Sequence, residues 1–130
     1  MSDSINMSSS LREQLGLVDG METYFLRAPQ EYWQALGKKP QPYNDNVSEY
    51  DFIHAFFKEI NEMSNYADIL VSKLAEHGIL WVSWPKLSNT PDSLYDNQKE
   101  EISIIFSTHK LKQSGECLIT DTWYGLRFDF

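Results

Sequence analysis

The residues best suited to hold a ligand stand where β-favouring stretches give way to helical ones. Arg27 follows Met21-Glu22-Thr23-Tyr24-Phe25-Leu26, Lys86 follows Ile79-Leu80-Trp81-Val82-Ser83-Trp84-Pro85, and Asp121 and Trp123 flank Thr122 between the last two apolar runs. Two cations, a carboxylate and an indole suit a small anionic or aromatic ligand, since guanidinium and ammonium pair with anions and a ring offers a stacking face. They meet only if the strands that carry them run parallel, because ligands of open α/β sheets bind beyond the carboxyl ends of the strands, beside helix N-termini. A plainer reading stands beside this one: Lys86 and Asp121 form an ion pair that steadies the hairpin, and Trp84 and Trp123 pack as edge aromatics. It carries more weight, because structural ion pairs are common and surface pairs seldom signal catalysis.

Other reactive side chains have structural readings. A nucleophile needs a base within hydrogen-bond reach, and Cys117, which precedes alternating strand residues, is expected to pack as a small hydrophobe. His54 lies inside the apolar run Phe52 to Phe57 and is expected as a hydrogen-bonded core histidine rather than a base. His77, just before Gly78, and His109 are placed at helix ends, where an imidazole complements the dipole. Asp92, Asp96, Glu100 and Glu101 read as the solvated face of a helix. No catalytic residue is assigned, and the histidines and single cysteine lack the spacing of a metal site.

Glycine is the telling absence. A strand-to-helix turn that approaches a phosphate or a cofactor carboxylate wants Gly-x-Gly, yet the turn here reads Leu26-Arg27-Ala28-Pro29-Gln30, and Pro29 removes a backbone donor as well. An acidic residue for a ribose is expected at the end of a second strand, which is missing or reduced to the loop around Tyr43 to Asp45. No cofactor is predicted in the usual place.

The elements that position these residues follow from local signals. Residues 1–9 are polar and Ser-rich, a flexible tail, and 10–130 read as one α/β domain. Ser10-Leu11-Arg12-Glu13 has the form of a capping box and opens a short helix ending near Gly16. The run 21–26 is the first strand. Tyr32, Trp33 and Leu36 then recur at helical spacing after Pro29, up to Gly37. Residues 38–48 read as a loop, and Tyr50 to Phe57 is apolar on both faces, as in a parallel strand covered on each side. Ile60, Met63, Ala67, Leu70 and Leu74 make one stripe on a helix predicted to stop at Gly78. Ile79 to Trp84 is a strand ended by Pro85, and a helix starting near Thr90, Pro91 or Ser93 buries Ile102, Ile105 and Phe106. Gly115 closes the connection to two β runs, Glu116 to Asp121 and Trp123 to Phe130, which form an antiparallel hairpin. Helices between the first strands imply parallel neighbours joined by right-handed crossovers, with only the last strand antiparallel.

Composition bounds the rest. A chain of 130 residues, 42% hydrophobic and 14% aromatic, is long enough for one packed core. Its net charge of −8, with no block of Lys and Arg, argues against nucleic acid. No signal peptide and no membrane span is expected, which places the chain in the cytoplasm without a membrane partner.

The segments Leu15-Gly16-Leu17, Ala28-Pro29, Gly78 to Lys86 and Asp121 to Phe128 together resemble a bacterial family, domain of unknown function 3052, from about Leu11 to Phe130. The motifs W-V-x-W-P-K and D-T-W-x-x-L-R-F carry most of the likeness. The resemblance implies a small three-layer Rossmann-like, methyltransferase-like fold: a mostly parallel sheet with a C-terminal antiparallel hairpin. An edge pocket in that family implies Pro29, Trp84, Pro85, Lys86, Asp121, Trp123 and Arg127 as its positions here. Gln30 departs from the Glu-Gly that often follows Ala-Pro in relatives. Two functions follow as expectations. One is a non-enzymatic domain that binds a partner protein or small organic ligand, with a homodimer formed through a sheet edge; the other is an S-adenosylmethionine-dependent enzyme with Asp121 or His54 assisting proton transfer.

Overall fold

The computed structural model describes residues 10–37, 47–86 and 92–130, the side chains of 92–96 excepted. The expected tail at 1–9, the loop around Tyr43 to Asp45 and the proposed cap residues Thr90 and Pro91 lie outside the described residues. Leu11–Leu15 forms α1, opened by the predicted capping box: the Glu13 N–H donates to the Ser10 hydroxyl at 3.2 Å and the Ser10 N–H to the Glu13 carboxylate at 3.1 Å. The chain continues as β1 (Thr23–Leu26), α2 (Gln30–Leu36), β2 (Tyr50–Phe56), α3 (Ile60–Lys73), β3 (Leu74–Pro85), α4 (Asp92–Ser107), β4 (Lys112–Leu118) and β5 (Trp123–Asp129). No helix among the described residues is long and apolar enough to cross a membrane.

The sheet order is β1-β2-β3-β5-β4, with β1, β2 and β3 parallel and β5 antiparallel to both its neighbours. Only the last strand runs against the others, as the sequence predicts. Alternation along β2 divides the core in two. Phe52 and Phe56 face Leu15 of α1 and Tyr32, Trp33 and Leu36 of α2, whereas Ile53 and Ala55 face Met63, Ala67 and Leu70 of α3 and Ile102 and Phe106 of α4. The result is a three-layer α/β sandwich with a doubly buried central strand.

The crossovers depart from expectation. Both connections, β1 to β2 and β2 to β3, advance the same way across the sheet, yet α2 and α3 lie on opposite faces. Uniformly right-handed connections would put both on one face. Aromatic packing and a buried hydrogen bond hold α2 where it is: Trp33 meets Phe25 edge-on at 4.7 Å, and Tyr32 bonds to His54.

Two glycines were assigned to the wrong elements. The helix expected to reach Gly78 ends at Lys73, and Leu74, at φ −85° and ψ 126°, already belongs to β3. Leu74 is buried in the same cluster as Met63, Ala67 and Leu70, so its helical spacing is matched from a strand. His77 is accordingly an exposed strand residue, not a helix-terminal one. Gly78 serves the register shift where Tyr50 pairs with Leu74 but Phe52 with Ile79. A Cβ there would stand 3.0 Å from the carbonyl oxygens of both Ala75 and Tyr50. Gly115, expected to close a connection, lies within β4 opposite Arg127, beside a second register shift, so β4 begins earlier than Glu116 and ends before Asp121. His109 does fall just beyond α4, its Nδ1 3.3 Å from the Asp68 carboxylate.

Beside a Cβ at Gly78 the Leu74 Cδ1 would stand nearest, at 2.7 Å, and could give way, but the two carbonyl oxygens are backbone, which cannot swing aside. Gly78→Ala is therefore expected to lower unfolding free energy by about 1–3 kcal/mol, as overpacked sites do. Urea denaturation of both forms checks it, and equal midpoints would contradict the crowding.

Candidate functional site

The carboxyl ends of β1 and β2, the first turn of α3 and the start of β5 surround a cavity of about 290 Å³ lined by Arg27, Pro29, Phe56, Lys58, Glu62 and Trp123. Each lining residue arrives by a separate route. Arg27 is the first residue past β1, Pro29 caps α2, Phe56 ends β2, Lys58 lies in the turn into α3, Glu62 sits in that helix's first turn, and Trp123 opens β5.

Arg27 has φ 58°, in the left-handed region that non-glycine residues avoid at a cost of roughly 1–2 kcal/mol. An arginine, not a glycine, takes the left-handed position of this turn. Its guanidinium is fixed over α3: Nη1 donates to the Glu62 carboxylate at 2.9 Å, Nη2 to the Tyr66 hydroxyl at 2.9 Å, and the group stands 5.0 Å from the Tyr66 ring centre. The Glu62 hydrogen bond raises the Arg27 pKa further. Lys58 is exposed and makes no hydrogen bond or ion pair among the described residues. The opposite wall is apolar. Phe56 and Trp123 meet edge-on at 5.3 Å, and both are largely buried.

Behind that wall lies a closed polar group. His54 is fully buried and stacks on Phe56 at 4.2 Å, with the Tyr32 hydroxyl 2.9 Å from Nδ1 and the Ser83 hydroxyl 2.7 Å from Nε2. In either tautomer one ring nitrogen donates and the other accepts, and two hydroxyls able to do both complement it. Burial pushes the His54 pKa well below its ordinary 6.5 and raises that of Tyr32. His54 is the hydrogen-bonded core histidine the sequence suggests, and it does not reach the cavity. Burial likewise raises the Cys117 thiol, which bonds weakly to Gln14 at 3.3 Å.

The predicted rim is brought together only in part. Arg27, Pro29 and Trp123 line the cavity. Trp84 does not: it faces the other layer, buried, with its indole N–H donating to Gln98 of α4 at 3.2 Å. Trp84 pairs across the sheet with Tyr124, so Trp123, one residue away, points to the opposite face. Lys86 is tied by its N–H to the Thr122 carbonyl at 2.7 Å, and its ammonium stands 5.8 Å from the Tyr124 ring centre. Asp121 is exposed in the hairpin turn, and no ion pair joins it to Lys86 among the described residues. Arg127 lies opposite Trp81 in mid-strand, near Gly16 and 3.8 Å from the Asp129 carboxylate, well back from the carboxyl edge. Trp84, Lys86, Asp121 and Arg127 thus stand outside the lining of this cavity. The cavity adds Phe56, Lys58 and Glu62. Lys58 immediately follows the apolar run Tyr50 to Phe57, so the strand-exit rule extends to it, whereas nothing local in the sequence signals that Glu62 meets Arg27.

No family model matches the chain, and no curated protein does. Solved structures match in fold. Ribosomal protein L11 methylase from Lactobacillus delbrueckii subsp. bulgaricus superposes with TM-score 0.59 at 13% identity, over 92% of this chain and 74% of that one. A SAM-dependent methyltransferase from Aquifex aeolicus gives TM-score 0.56 at 12% identity, covering 98% and 96%. Fibrillarin from Aeropyrum pernix, solved with natively bound S-adenosyl-L-methionine, gives 0.55 at 8%, covering 91% and 72%. The chain is similar to methyltransferases in fold; the narrower family suggested by the sequence motifs has no matching model.

His54 offers a test of this interior. The folded state keeps the imidazole neutral while the unfolded chain takes a proton below about pH 6.5, so stability present above that pH is lost as pH falls. The loss attributable to His54 approaches roughly 1.4 kcal/mol per pH unit at its steepest. His54→Gln lacks this titration. Unfolding free energies of the two proteins measured from pH 7 to 5 are expected to diverge by that slope, and parallel curves would contradict a buried neutral ring.

Proposed function

We propose that the protein binds a small organic ligand at the carboxyl edge of its parallel strands and does so without transfer chemistry. The observation that carries this reading is the cavity itself, at the end of the sheet where open α/β proteins hold ligands. Its volume, about 290 Å³, lies just under the roughly 300–1,000 Å³ of drug-sized ligand pockets and suits a smaller ligand. Its lining combines an apolar wall with a few charged groups, the composition of a binding pocket.

A nucleoside cofactor fits less well. The turn after β1 carries the Arg27 side chain and Pro29 where backbone amides would have to approach a ligand. Among the described residues β1 is the sheet edge, so no neighbouring strand beyond it supplies an acidic residue to a ribose. The rival reading, an S-adenosylmethionine-dependent enzyme, draws on the left-handed turn at Arg27 and on a fold shared with a structure that holds that cofactor.

Calorimetry separates the two readings. Titration with S-adenosylmethionine and S-adenosylhomocysteine at millimolar concentration is expected to release no heat, and saturable heat would favour the enzyme. A fragment set followed through the Trp123 indole N–H signal, identified by its loss in Trp123→Phe, is expected to give hits at this edge. A wholly silent Trp123 signal would overturn the binding reading.

A further inference from the structure

We infer that the cavity selects a compact monoanion with a flat apolar body, of the aromatic carboxylate class; this deepens the binding reading above and rests on it. Charge gives the sign. Arg27 and Lys58 against Glu62 leave the lining with one net positive charge on a chain whose own net charge is −8, so the site is a local inversion of the surrounding field. Arg27 commits one hydrogen of each terminal nitrogen to Glu62 and Tyr66, leaving other N–H donors beside the exposed ammonium of Lys58.

Charge also limits the number. A phosphate dianion would face the Glu62 carboxylate with only one positive charge in excess in the lining, and Pro29 offers it no backbone amide. A monoanion balances the lining. A cation would meet two like charges. The body of the ligand follows from the rest of the lining, where Pro29, Phe56 and the indole of Trp123 present apolar surface. Phe56 is itself backed by the stacked His54 ring, which leaves it little freedom to turn away.

The test is a charge series on one ring. Benzoate, phenyl phosphate, benzyl alcohol and benzylamine are titrated separately into the whole protein, with the Trp123 indole signal as readout. Benzoate is expected to move that signal saturably and more tightly than the other three, and Lys58→Ala to weaken it about tenfold while leaving thermal stability unchanged. Tighter binding of phenyl phosphate, benzyl alcohol or benzylamine at Trp123 would overturn the carboxylate class and leave the binding reading standing. Benzoate binding that Lys58→Ala does not weaken would overturn the charge argument. If none of the four moves the signal, the class is likewise overturned, and the wider fragment set then decides whether the binding reading falls with it.

Discussion

The architecture depends on satisfying one polar ring inside a strand that is covered on both faces. A buried imidazole left without partners costs on the order of 1–3 kcal/mol per unmade bond, and β2 has no solvent through which to make them. Tyr32 and Ser83 supply both partners from different elements, α2 and β3. That requirement fixes α2 on its face of the sheet against the usual run of crossovers, and it sets the register of Ser83 opposite Phe56. The cavity inherits its rigid wall from the same arrangement, because the ring that stacks on His54 is the one that faces the ligand space.

What could be read in the sequence was mostly local. The capping box at Ser10, the two-faced apolar run of β2 and the single antiparallel strand all depend on nearest-neighbour chemistry, and all are present. Gly78 was misread because a glycine after a helical stripe signals a C-cap equally well whether or not the helix reaches it. Only the tertiary contact with the Tyr50 carbonyl shows that it serves a close backbone approach instead. The two tryptophans failed as a pair for a related reason. Which face a strand residue takes depends on hairpin register, and a shift of one residue reverses it; Trp84 and Trp123 therefore part company although both stand at the sheet's carboxyl end.

The turn after β1 separates two ideas that the sequence joins. Lack of glycine there argues against a close backbone approach to a ligand, yet the backbone at Arg27 still adopts the left-handed conformation that glycine favours. The strain is offset by contacts no glycine could make, with Glu62 and Tyr66 holding the guanidinium across to α3. A glycine turn presents bare amides to a ligand, whereas this one presents a tethered cation.

The position of the cavity follows from the strand order. In doubly wound sheets the crevice opens where successive connections reverse direction. Here β1, β2 and β3 follow one another in a single direction, and no reversal separates the parallel strands among the described residues. Space at the edge has to be enclosed in another way, and the antiparallel hairpin does it. β5 enters the sheet beside β3 with Trp123 paired to Pro85, which brings the indole edge-on to Phe56 and closes the side that a further parallel strand would have left open. A site walled by a hairpin residue draws on the side chains that the hairpin and the strand exits bring to it. Those at this edge are one exposed ammonium, one tethered guanidinium and an aromatic face.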